Sequence, residues 1–435
     1  MFYLFILFAI SSQFNTLLRV SVDSQSMSAA PFAWGFALVA VCLYFFGAKK
    51  KNYMDIQTLS FLLIFFVVVL WFPFSMQSVF TEYIIRFLQF LSAFAVYVYS
   101  RNNFFLNYPK ETIIKYFLIL QLPSILFGLM EVVYILSDSE LLLSLLYDIR
   151  QVTSGRPGVI YMKSIVFHFL EHSMSVSYIL MLISIMIVWF SCKYQENNST
   201  SILKELRYKS GLSGFSFFLI STFLFILFHR SGTFTVILAG SVFFAILNAG
   251  IRSKFYLLIL SLPILYFLLN TPLIAVKVDQ LMMGQMMAND FYRLSSVLSS
   301  LGNLLQYPFG IGPGSFSAEY FSGIIHFLDY FNLNSTFGDL VYSNADIISK
   351  NPANEVNTTR ATSQTLYLGL VSELGVVFIL FLFVFHKNIF LKRFSMIKFA
   401  EVAIILNLCL GYPMAYPQLW IALGLIHAAY NQNKT

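Results

Sequence analysis

Apolar runs long enough to cross a bilayer recur along almost the whole chain, each closed by charged or turn residues. No other feature constrains the fold as much. Runs near 1–18, 29–48, 58–76, 83–100, 113–136, 174–192, 212–228, 232–249, 255–270, 365–385, 399–412 and 418–431 predict about twelve transmembrane helices. A soluble domain carries roughly a quarter charged residues. Here 11% are charged and 58% hydrophobic, too little charge to clothe a soluble globule of 435 residues. The expected class is an all-α integral membrane protein.

Placement of the basic residues supplies the orientation. Of 27 Lys and Arg, 17 fall in or beside the connections 49–57, 101–112, 193–211, 250–254 and 386–398 and the C-terminus. These are also the shorter connections, so the positive-inside rule predicts both termini in the cytoplasm, in keeping with an even helix count. The net charge of +7 is therefore read as a topology signal, not a nucleic-acid footprint. Cys42, Cys192 and Cys409 lie in or at the ends of separate apolar segments without a CxxC pair, so neither a disulfide framework nor a zinc site is expected. Met1–Ile10 has no positive n-region and no small-residue cleavage site, and reads as part of a first membrane helix.

The organisation that follows is helices 1–9 over 1–270, with a smaller outside loop at 137–173, then a large outside loop at about 271–364, then helices 10–12 over 365–435. A loop that long between membrane helices is usually functional. Its amphipathic stretch Phe291–Leu305 predicts partial folding on the membrane surface.

Several residues carry possible chemistry. In His229-Arg230-Ser231-Gly232 an Arg sits in the joint between two apolar helices, at the outer headgroup level. A guanidinium there grips phosphate with two parallel hydrogen bonds, or snorkels to lipid headgroups. Arg293 precedes a run from Leu305 to Phe316 that includes Tyr307-Pro308-Phe309-Gly310-Ile311-Gly312-Pro313-Gly314-Ser315. Its glycines allow tight turns and close backbone approach. A dinucleotide loop is excluded, since no strand–helix context surrounds it and it lies outside the cytoplasm. Arg360 opens a polar stretch through Gln364 that leads into a helix containing Ser372-Glu373-Leu374-Gly375. Arg86, Lys115 and Glu131 lie within or at the ends of apolar segments, where charges face a cavity or a partner. His168-Phe169-Leu170-Glu171-His172 matches an inverted zinc-peptidase pattern, but no third ligand follows in the same compartment, and an interfacial helix is the better reading.

Taken in order, the helix-joint Arg, the long outside loop, the Arg ahead of YP-x-G-x-G-P-G-S-F and the polar opening of an L-x-x-E-L-G helix resemble the O-antigen ligase and polymerase superfamily of bacterial inner-membrane glycosyltransferases. The resemblance covers roughly residues 212 to 385; the N-terminal half shares only its hydrophobicity. It implies a metal-independent enzyme without cofactor that uses undecaprenyl-pyrophosphate-linked oligosaccharide at the periplasmic face. It also implies the bilayer and a chain-length regulator protein as partners. Arg230 and Arg293 match the family's pyrophosphate-binding arginines, with Arg360 a third candidate. Fixed guanidinium groups stabilise the charge that grows on the leaving pyrophosphate. Gly310, Gly312, Gly314, His326, Gln364 and Arg86 are the substrate-binding candidates. Where the ligases carry a His-Asn or similar pair, this chain has Gln364 and Thr365. Gln is no general base, which favours polymerase over ligase and leaves the base open among His326, Asp290, Glu319, Asp329 and Asp339. A lipid-linked oligosaccharide flippase is the expectation from a different class.

Overall fold

The computed structural model describes residues 20–22, 25–27, 56–71, 118–154, 167, 172–196, 212–229, 232–248, 288–316, 319–333, 366–391, 396–410 and 417–432, with helical positions between 87 and 101. The segments expected at 1–18, 29–48 and 255–270 lie outside the described residues. A short antiparallel pair, β1 (Val20–Val22) and β2 (Gln25–Met27), sets Val20 opposite Met27. It is the one local departure from an all-helical chain among the described residues.

The helices are α1 (Ile56–Leu70), α2 (Leu122–Ser137), α3 (Glu140–Ser154), α4 (His172–Glu196), α5 (Leu212–Phe228) and α6 (Gly232–Asn248). They continue with α7 (Ala288–Gln306), α8 (Tyr320–Tyr330), α9 (Leu366–Phe385), α10 (Lys387–Leu391), α11 (Met396–Leu410) and α12 (Pro417–Gln432). Most fall where apolar runs predict them. The run at 113–136 is interrupted by a turn at Gln121, because Pro123 can sit only in the first turn of a new helix. Asp138 ends α2 in the left-handed conformation, its N–H donating to the Tyr134 carbonyl. Within 137–173, expected as loop, α3 forms an amphipathic helix with Leu141 and Leu145 exposed.

α4 is central, buried on nearly every side from Ser175 to Val188, and packs on α11 and α12. α1 lies along α9, α6 along α11, and α5 against α2 and α4. Beside an apolar core, two helices expose apolar stripes while burying polar residues. On α1, Ile56, Leu59, Leu63, Phe66 and Leu70 are exposed while Gln57, Thr58 and Ser60 are buried. Leu219, Ile220, Phe223 and Leu227 form a similar outer stripe on α5.

Glu131, singled out as a charge in an apolar segment, has a backbone partner. It is buried on α2, and its carboxylate accepts the Phe167 N–H at 2.7 Å. Phe167 adopts a positive φ of 58°, and its ring fills the space beside Gly128 against Tyr178 and Phe225. The charged hydrogen bond offsets a backbone conformation that a non-glycine residue seldom adopts.

The expectation of one straight helix over 365–385 is corrected. Gly375, with φ 61° and ψ −144°, breaks α9 into Leu366–Leu374 and Val376–Phe385. At the helical rise, Tyr367 and the residue after α9, His386, would stand about 28 Å apart on a straight axis. Instead the Tyr367 hydroxyl is 3.0 Å from His386 Nε2, and the Tyr367 and Phe378 rings are 5.7 Å apart. The halves therefore fold back side by side as a V with Gly375 at its apex.

Candidate functional site

Breaking a helix leaves carbonyls at the end of one half and N–H groups at the start of the next without intrahelical partners. In a buried setting each must be met elsewhere. The glycine-rich run does this. Ile311 and Gly312 donate their N–H groups to the Ser372 and Glu373 carbonyls at 3.1 and 2.9 Å, and Val376 N–H donates to the Pro308 carbonyl at 2.8 Å. Residues 308–312 thus cap both halves of α9 at once.

Such docking is possible only without side chains at the contact. Gly310, Gly312 and Gly314 have φ of 94°, 96° and 82°. A Cβ on Gly310 would lie 2.3 Å from the Glu373 carbonyl oxygen, and one on Gly375 would lie 2.2 Å from that of Pro308. Gly312 lies against the Trp71 ring at the end of α1. The Gly310 N–H donates to Tyr307 and the Gly312 N–H to Glu373, so both are committed to protein acceptors. The two glycines position the loop.

The run is carried by α7 and α8, which pack so closely that a Cβ on Gly302 would overlap the Gly323 carbonyl. The inner face of α7 is polar: Ser295, Ser296, Ser299, Ser300 and Asn303 are all buried. Ser295 and the Tyr320 hydroxyl share a short hydrogen bond. Asn303 Nδ2 donates to Ser372 Oγ at 3.0 Å, joining α7 to α9 just before the break. The fully buried Glu373 carboxylate stands at the same point. Two stretches some sixty residues apart in sequence therefore meet in one hydrogen-bonded junction.

Of the residues singled out from sequence, the junction contains Gly310 and Gly312, together with the Ser372–Gly375 motif, while Gly314 lies two residues further along the same run. Arg293 lies in the backbone of α7 near its start, and Asp290 likewise. His326 is half-buried on α8, Glu319 precedes that helix and Asp329 is exposed on it. Arg230, Arg360, Gln364, Arg86, Lys115 and Asp339 lie outside the described residues, as do His168 and Glu171 of the H-x-x-E-H pattern. Sequence reading missed Asn303 and Trp71. Asn303's only signal was its place on the amphipathic stretch before the glycine run.

A second polar cluster lies at the feet of the V. Glu401 Oε1, in α11, is 2.9 Å from both His386 Nδ1 and His427 Nε2, the latter in α12. The outer nitrogens meet tyrosines: His386 Nε2 the Tyr367 hydroxyl, and His427 Nδ1 the Tyr97 hydroxyl at 2.7 Å. All five side chains are buried. Glu401 and His427 were visible as polar residues inside apolar helices, but nothing in their spacing pairs them.

Comparison with protein families, with curated proteins and with solved structures finds no match to this chain. What fold and site define together is a mostly helical protein whose broken helix is capped by a glycine-rich loop. By length and composition alone Leu366–Phe385 is the one candidate membrane span among the described residues, but its break at Gly375 leaves two halves each too short to cross a bilayer singly.

Proposed function

We propose that this chain is a polytopic membrane glycosyltransferase of about twelve membrane segments, of which α9, folded back at Gly375, enters and leaves on one face. It would sit in a bacterial inner membrane and polymerise lipid-linked glycan at the periplasmic face. The growing glycan leaves undecaprenyl pyrophosphate as an acceptor hydroxyl of a lipid-linked repeat unit attacks its anomeric carbon. The C–O bond to the new sugar forms, the bond to pyrophosphate breaks, and the hydroxyl proton passes to a base. Arg230 and Arg293 hold the pyrophosphate, with Arg360 as a third candidate.

The observation that carries this reading is the junction. The two motifs on which the family resemblance rests, the glycine run and the L-x-x-E-L-G helix, engage one another directly. Lipid as solvent is supported by the exposed leucine and phenylalanine stripes on α1 and α5, which stand beside buried Gln57, Thr58, Ser60, Ser221 and Thr222 on the same helices. A helix broken at membrane depth is tolerated where protein or a cavity surrounds the break, as here.

The same broken helix and the buried His–Glu cluster also favour a second reading, a transporter of lipid-linked oligosaccharide, because discontinuous helices and buried ionisable groups mark transport sites. One experiment separates the two. Purified protein in detergent is given synthetic undecaprenyl-pyrophosphate-linked repeat units, and products are resolved by gel. A polymer ladder from wild type, lost in Arg230→Ala and Arg293→Ala, supports the polymerase. No ladder, with movement of the lipid across a vesicle bilayer, replaces it with the transporter.

A further inference from the structure

We infer that His386, Glu401 and His427 form a structural site for a divalent transition-metal ion, of which Zn2+ is the natural probe, holding the feet of the α9 V to α11 and α12. The three residues offer donor atoms that all lie within 4.8 Å of one another. Two imidazoles and a carboxylate are a donor set suited to late first-row divalent ions.

The hydrogen bonding of Glu401 is lopsided. Its Oε1 stands between both imidazoles, while its Oε2 is buried with no hydrogen-bond partner among the described residues. A carboxylate fully removed from water normally has both oxygens engaged. A cation among the three residues uses His386 Nδ1, His427 Nε2 and both carboxylate oxygens, which makes four donor atoms. The two imidazole–Oε1 separations of 2.9 Å widen by about half an ångström to the spacing of ligand atoms about 2.0–2.2 Å from zinc, and the chelating carboxylate, its oxygens held close together, makes the tetrahedron a distorted one.

The outer shell is arranged for the same task. A metal-bound imidazole donates its other N–H to a fixed acceptor that sets ring orientation. Tyr367 and Tyr97 stand at those two positions. Phe385 packs edge-on against both His386 and His427, closing the cluster on that side. Two cations bear on the cluster from outside it: Lys398 on α11, whose ammonium also lies 5.4 Å from the Phe244 ring centroid, and the buried Arg101, whose guanidinium donates to Thr58 Oγ1 at 2.6 Å. Among the described residues every side chain of the cluster and its shell is buried, so the ion acts on the fold. Its location, opposite the junction, ties Tyr367 and His386, the two ends of the broken helix, to one point. The inference does not depend on the glycosyltransferase reading.

The full chain is purified in detergent and its metal content measured by mass spectrometry. It is then stripped with a strong chelator and retitrated with Zn2+ while its melting temperature is followed. The expected result is stoichiometric divalent metal in wild type, a lower melting temperature after stripping, and recovery with Zn2+ but not Mg2+. Glu401→Gln and His427→Gln lose the bound metal. Metal-free wild type whose melting temperature ignores Zn2+ overturns the site, as does metal retained equally by both variants. Should the variants fail to fold, stripping and reloading wild type decides the question alone.

Discussion

Replacing Gly375 by Ala tests the junction at its apex. A methyl group there would lie 2.2 Å from the Pro308 carbonyl oxygen and 2.5 Å from the Gly310 nitrogen, both backbone atoms that cannot rotate aside. The φ of 61° with ψ of −144° adds strain of about 1–3 kcal/mol for any residue with a side chain. Relieving the clash by withdrawing the loop breaks three hydrogen bonds, from Ile311, Gly312 and Val376, each contributing a net ~0.5–1.5 kcal/mol. The expected loss is therefore roughly 3–7 kcal/mol, at the severe end for a single substitution. Gly240→Ala in α6 is the control, because its methyl would meet only the tip of Leu406 and Ala gains about 0.5–1 kcal/mol over Gly in a helix. Melting of both variants in detergent, followed by size-exclusion fluorescence, gives the comparison. A Gly375→Ala protein that melts with Gly240→Ala would falsify the capping argument.

Two further predictions follow from the same contacts. Cysteines placed at Tyr367 and Phe378 should be joined by a short bifunctional thiol reagent, since the native rings are 5.7 Å apart, whereas a straight helix separates the positions by about 16 Å. Absence of the cross-link under conditions that label both cysteines refutes the V. Glu131→Ala should destabilise the protein by about 1.5–3 kcal/mol through loss of its charged hydrogen bond to Phe167, while Glu131→Gln, which keeps an acceptor, retains most of the stability. Equal melting of the two variants refutes the role given to that bond.

Periodicity and length located α5 to the residue and α4, α6, α11 and α12 to within four, because a helix that is apolar over many residues announces itself locally, whereas the run at 58–76 holds α1 only to Leu70 among the described residues. The amphipathic stretch Phe291–Leu305 likewise forms α7. The helix α3 was not legible as such: its apolar run, Leu141–Tyr147, is far shorter than a bilayer crossing, and it lies between stretches that read as loop. The glycine run was legible as a place of close backbone approach. What approaches it was not, since hydrogen bonds between residue 308 and residue 376 leave no periodic trace.

The sequence by itself determined where helices form, and it marked Gly310, Gly312, Gly314 and the Ser372–Gly375 motif as special, since those properties reside in composition, spacing and the absence of a side chain. Only the tertiary structure decided that Leu366–Phe385 is two half-helices, that the glycine run caps them, and that His386, Glu401 and His427 share one buried point. The physical reason is common to all three. A glycine inside an apolar helix is compatible with a straight path, and a polar residue there is compatible with many partners. Which option is realised depends on whether a distant backbone supplies the missing hydrogen bonds, and that is fixed by packing.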